Sequence, residues 1–148
     1  MDLVVARVVH VLSATVWVGG TVFLVAVAVP YARSLGPDRR TEIASAIGRR
    51  FRPVAWTAMA GLVGSGLYML QKLGYLGEGG LTGSSDGRLM MAKLGTVGVL
   101  IALSAVHDFV LGPRAEHRLE TRSTLLVLAR ATGVLTLIVP ILGVLLAH

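Results

Sequence analysis

The chain contains no cysteine, which excludes disulfides, thiolate metal sites and thiol redox chemistry while leaving its compartment open. Charge is scarce: 15% of residues are Asp, Glu, Lys or Arg, against about a quarter in a soluble domain. Only eight are acidic. No glutamate falls inside a long apolar stretch, so a paired-carboxylate acid/base site is excluded. No Ser-His-Asp grouping stands out. The glycines between positions 74 and 87 lack P-loop spacing, which removes a phosphate cradle.

What remains is apolar. Of 148 residues, 54% are hydrophobic, and the mean hydropathy is +0.74. The length suits one compact domain, 1–148. The apolar residues gather into four blocks, at about 3–30, 53–73, 89–111 and 124–147. Each is near the roughly 20 residues that cross a bilayer as a helix. Backbone polar groups must be paired inside lipid, so each block is expected to be helical. The predicted fold is all-α, an integral membrane four-helix up-down bundle. The first block is too long for a signal-peptide core and has no clear small-residue cleavage site, so a retained helix is expected. It is expected to stop at Pro30, and the third block at Gly112-Pro113.

The formal charge of +6 is placed asymmetrically. Arg33, Arg39, Arg40, Arg49, Arg50 and Arg52 lie between blocks one and two, and Arg114, Arg118 and Arg122 between blocks three and four. The opposite side has only Lys72 and Arg88, with Arg7 just inside the first block. The positive-inside rule puts the arginine loops in the cytoplasm and both termini outside, in a bacterial-type plasma (inner) membrane. Anionic lipid, not nucleic acid, is the partner this pattern implies. Ile43, Ile47 and Phe51 recur every four residues among the arginines. They suggest a short interfacial helix over 37–51, which Pro53 would separate from the second span. The glycine-rich outer loop, 74–87, is expected to be flexible. Small residues in the second span, Ala60 with Gly64 and Gly61 with Ser65, have the spacing of close helix packing.

Ionisable groups inside apolar spans are costly and mark candidate sites. Here they are His10, Lys93, His107, Asp108 and Arg130, with His148 at the end of the fourth block. Helical geometry puts His10, Ser13, Trp17, Gly20 and Leu24 on one stripe of the first span, with small residues that leave room for a bound group. Lys93 and His107 share a stripe of the third, and Arg130 and His148 one of the fourth. By depth, His10, Lys93, Met69, Met90, Met91 and His148 form an outer cluster, while His107, Asp108 and Arg130 form an inner one. Each has a structural alternative. Lys93 and Arg130 can snorkel to the interfaces, Asp108 and Arg130 can be an ion pair, the methionines can be packing residues, and His10 can bond a carbonyl. Trp17 suits core packing or a ring beside a cofactor. His117 lies in a charged loop and is expected to be solvated.

The segments VVHVLSATVWVGGTVFL, RRFRPVAWTAMAGLVGSGLY, MMAKLGTVGVLIALSAVHDFVLGPR and LARATGVLTLIVPILGVLLA resemble, in order, the spans of the copper-resistance D (CopD) family. The resemblance covers nearly the whole chain and implies a copper-handling membrane protein. The large members of that family have an additional multi-helix region and are thought to help copper cross the inner membrane. A more distant pattern, a His in the first helix and a Lys in the third, is similar to the HemJ-type protoporphyrinogen oxidases, four-helix proteins associated with haem b. His10 and Lys93 match those two positions. The aromatic and charged residues around them in that family are missing here.

Three functions follow as expectations. In a copper protein His10, Met69, Met90 and His148 would be the metal ligands, since Cu(I) prefers thioether and imidazole. In a haem b redox protein, a membrane oxidoreductase, His10 would be the axial ligand and Lys93 a partner for a propionate. Trp17, His107 and Arg130 would complete its cofactor surroundings. The third is an accessory subunit of a larger membrane complex, or of a homo-oligomer.

Overall fold

The computed structural model describes residues 2–77, 80–111, 133, 135–141, 143 and 144. The described residues are helical or in turns, without strands, and the protein is all-α. Three helical stretches are long and apolar enough to cross a membrane: Leu3–Ser34, Glu42–Lys72 and Ser85–Val110. The chain is therefore a multi-pass membrane protein. Of the fourth apolar block, residues 135–141 and 143–144 are helical. Its beginning, with Arg130, and its end, with His148, lie outside the described residues, as does His117.

The chain divides into two compact units, Met1–Leu76 and Gly77–His148. In the first, helix α1 (Leu3–Phe23) passes through a π-helical turn (Leu24–Ala28) into helix α2 (Val29–Ser34). The first span thus does not stop at Pro30. The turn before the proline bonds one residue further back, Val29 N–H to the Leu24 carbonyl. Pro30 therefore lies inside a continuous helix, since Ala28 and Val29 keep right-handed helical dihedrals.

Helix α3 (Pro37–Lys72) packs against both α1 and α2. It corrects a second expectation, because it runs unbroken through Pro53. The arginine-rich segment over 37–51 is not a separate interfacial helix but the beginning of the second span. The reason lies in its inward stripe. Ile43, Ile47, Phe51, Ala55, Ala58, Leu62, Ser65 and Met69 follow one another at steps of three or four and are buried or half-buried. This stripe crosses Pro53 without losing phase. A proline inside a helix costs about 3 kcal/mol, and one continuous face laid against the first helix outweighs that. Pro53 itself is on the exposed side. At about 1.5 Å per residue, the 36 residues of α3 measure roughly 54 Å. That exceeds the hydrocarbon core of about 30 Å, so exposed Arg39, Arg40, Arg49 and Arg50 extend past the apolar part.

The stripe of the first helix answers that of α3. Ala6, Trp17, Ala28 and Ala32 are buried, with His10, Ser13, Gly20 and Leu24 half-buried between them. The rest of the first helix is a sheath of exposed valine, leucine and phenylalanine, including Val4, Val8, Leu12, Val22 and Phe23. This is what a lipid-facing surface requires. Helix α3 ends in a Schellman motif: Tyr75 N–H donates to the Leu70 carbonyl at 3.1 Å and Gly74 N–H to the Gln71 carbonyl at 3.3 Å. Gly74 has φ +78°, the left-handed conformation that glycine adopts freely.

In the second unit, helix α4 (Ser85–Ala105) continues into a π-helical segment (Val106–Leu111). It begins several residues before the apolar run because Ser84 caps it: the Ser84 hydroxyl accepts from Gly87 N–H at 3.0 Å, and Asp86 lies in the first turn. The end of the 74–87 loop is therefore helical. Residues 80 and 81 are laid directly on Gly87, where a β-carbon would meet the Gly80 and Leu81 backbone at 2.6 to 2.7 Å.

Candidate functional site

His10 is the polar centre of the first unit. It projects from α1 toward α3, and its Nδ1 lies 3.0 Å from the Ser65 hydroxyl. The Ser65 oxygen also lies 2.5 Å from the Gly61 carbonyl and 3.2 Å from that of Leu62. Two oxygens at 2.5 Å need a hydrogen between them, and the single Ser65 proton is the one available. The hydroxyl donates to the Gly61 carbonyl, and the His10 Nδ1 lies within hydrogen-bond distance of the same oxygen. Ser65 is only 3% exposed, so this hydrogen bond is shielded from competing water.

The antiparallel pairing of α1 and α3 follows from three contacts. Phe51 lies over Gly20, Ser13 over Gly61, and the His10 ring beside Gly66, where a β-carbon would stand 3.4 Å from Cε1 and 3.8 Å from Nδ1. These contacts also overturn one expectation. The small residues of the His10 stripe do not leave room for a bound group, because the Phe51 ring fills the space beside Gly20 and Ser13 fills that beside Gly61. Glycine and serine serve here to bring the two helices together, as small residues do in membranes. Trp17, 6% exposed, is part of this packed face. A groove of about 470 Å³ lies to one side, lined by Leu12, Ser13, Val16, Pro53, Val54, Thr57 and Ala58.

Met69 stands one helical turn beyond Ser65 and is half-buried, on the α3 face that receives His10. An imidazole and a thioether suit a soft, low-coordinate metal such as Cu(I). Among the described residues there is no group of three or more His, Asp or Glu that could hold a metal ion. A hard, carboxylate-rich cation site is thus not built from them.

In the second unit, Lys93 is half-buried and reaches the last helical segment, its Nζ 3.4 Å from where a β-carbon of Gly143 would stand. Met90 is half-buried one turn away, and Met91 is exposed. Leu100 and Thr136 are fully buried and form the inner packing of this unit. His107 Nδ1 lies 2.9 Å from Asp108 Oδ1. The two adjacent side chains pair in the π-helical segment, a local geometry often found at functional positions. The expected Asp108–Arg130 pair involves a residue outside the described ones.

Sequence reasoning took Ser65 for a packing residue and placed Phe51 on the apolar face of an interfacial helix. The signal for Ser65 was present: a hydroxyl within an apolar run, one turn before a candidate ligand. The partner of Phe51 is set by the packing of two helices and has no local signature.

A family model described as "Copper resistance protein D" matches residues 45–146. A protein of Aquifex aeolicus (strain VF5) described as "Uncharacterized protein" is 34% identical over 137 residues, covering 90% of this chain and 84% of the relative. No solved structure matches the chain.

Proposed function

The chain belongs to the copper resistance protein D family, and from that premise we propose that it binds copper as Cu(I) within the membrane, with His10 Nε2 as the ligand on which the site is built. The observation that carries this reading is the His10–Ser65 hydrogen bond. It holds an imidazole inside an apolar span with its Nδ1 beside the buried Ser65 hydroxyl. Met69 is the thioether on the adjoining face. Copper is here cargo or bound substrate. The protein sits in a bacterial-type inner membrane with both termini outside and its arginine-rich segments in the cytoplasm against anionic lipid.

A second reading rests on Lys93. An ammonium group inside a span would suit a haem propionate better than a copper cation. The test is an absorption spectrum with elemental analysis on the detergent-purified chain. Copper without a Soret band supports the copper reading, and a Soret band that disappears in His10→Ala supports haem. Neither metal nor haem would mean an accessory subunit of a membrane complex. Full retention of copper or haem by a folded His10→Ala protein would overturn the His10 assignment under both readings.

A further inference from the structure

We infer that the groove between α1 and α3 is a binding site for one membrane phospholipid with an anionic headgroup. An acyl chain lies in the groove, and Arg50, with Arg49 beside it, holds the phosphate. The inference rests on the placement of the arginine-rich segments against anionic lipid and is independent of the copper reading.

Charge stands at one end of the groove. Its α3 wall is formed by Pro53, Val54 and Thr57, all exposed. Arg50 lies four residues before Val54 and seven before Thr57, and Arg49 four before Pro53. Both arginines therefore continue that wall by one turn. Both are exposed, and neither makes an ion pair among the described residues. From Pro53 to Gln71 the helix carries no charge, so Arg50 marks the level where hydrocarbon gives way to headgroups. A phosphate there matches the guanidinium fork.

The groove is open toward that end. Leu12 and Val16 form its α1 wall, and Gly19, three residues on, has no atom within 4 Å of where a β-carbon would stand. Phe51 meets Gly20, so Gly19 is level with Arg50. A chain can thus run from the arginines into the groove without meeting a side chain.

A hydroxyl in the groove is also left over. Thr15, Thr21 and Thr96 each donate to the carbonyl four residues back, at 2.8 to 2.9 Å. Thr57 makes no hydrogen bond among the described residues. An unpaired hydroxyl is unfavourable in hydrocarbon. A phospholipid ester carbonyl, carried between phosphate and acyl chain, is an acceptor in the same order along the groove. A second copy of the chain fits less well, because a symmetric pairing across this groove would set its arginines at the same level and add like charge.

The experiment is native mass spectrometry of the full detergent-purified chain, titrated with dioleoyl phosphatidylglycerol or with dioleoyl phosphatidylcholine. The variants are Arg50→Gln, Thr57→Phe and Arg40→Gln. Arg40 is exposed and lies about 15 Å further along the same helix. Circular dichroism checks that each variant keeps its helices, and Arg50→Gln carries the test if Thr57→Phe does not. The unaltered protein should hold one phosphatidylglycerol more tightly than phosphatidylcholine. Arg50→Gln should lower that affinity about fivefold, Thr57→Phe should fill the groove and lower it as well, and Arg40→Gln should leave it nearly unchanged. Equal losses in Arg40→Gln and Arg50→Gln overturn the site while leaving the general attraction to anionic lipid intact. Equal affinity of the unaltered protein for both lipids overturns the site and that attraction together. Full retention of phosphatidylglycerol by folded Thr57→Phe overturns the groove as the seat of the chain. Dimers without bound lipid, dissociated by Thr57→Phe, would assign the groove to a second copy instead.

Discussion

The Phe51 ring lies over Gly20, in the space a β-carbon there would take. A helix on one strand of the hairpin thus presents bare backbone to an aromatic ring on the other. Gly20→Ala should push the ring or the helices apart and cost about 1–3 kcal/mol. The adjacent Gly19 has open space around it, and Gly19→Ala should be close to neutral. Thermal unfolding in detergent measures both. In a Phe51→Leu background the Gly20→Ala cost should shrink, because the two positions share one contact. Equal effects at 19 and 20 would contradict this packing.

Pro53 lies inside an unbroken α3. Pro53→Ala should therefore restore a helical N–H and raise stability by up to about 3 kcal/mol. Pro30→Ala should do less, because the π-helical turn before Pro30 already accommodates its ring. A loss of stability in Pro53→Ala would show that the chain turns at that proline.

The start of α4 depends on Ser84 and Gly87. Ser84→Ala removes the cap and should cost about 1 kcal/mol. Gly87→Ala should cost more, since its methyl group would meet the Gly80 and Leu81 backbone and neither can move aside as a side-chain tip would. Thermal midpoints of the two variants give the order, and a milder effect at Gly87 would argue against the loop resting on it.

The arginine-rich segments are expected on the cytoplasmic side. Because the chain has no cysteine, single cysteines introduced at the exposed positions Glu42 and Thr82 report their side directly. In intact cells a membrane-impermeant maleimide should label position 82 and not position 42. The reverse pattern would invert the topology.

The helical class of this protein, its three described spans and the stripe joining His10 to Trp17 are written in the order of residues, because a bilayer leaves a long apolar run no option but a helix and the helix repeat fixes which residues share a face. The prolines misled for the opposite reason. Pro30 and Pro53 each carry a local tendency to end a helix, worth a few kcal/mol. Only the packed hairpin decides whether that tendency prevails. A π-helical turn absorbs Pro30, and the unbroken stripe from Ile43 to Met69 holds α3 together through Pro53. The partners of individual side chains were likewise settled in three dimensions. That His10 meets Ser65, Gly20 meets Phe51 and Ser13 meets Gly61 depends on the register of two antiparallel helices. That register is set by how closely their backbones approach, a property of the pair that neither segment carries alone.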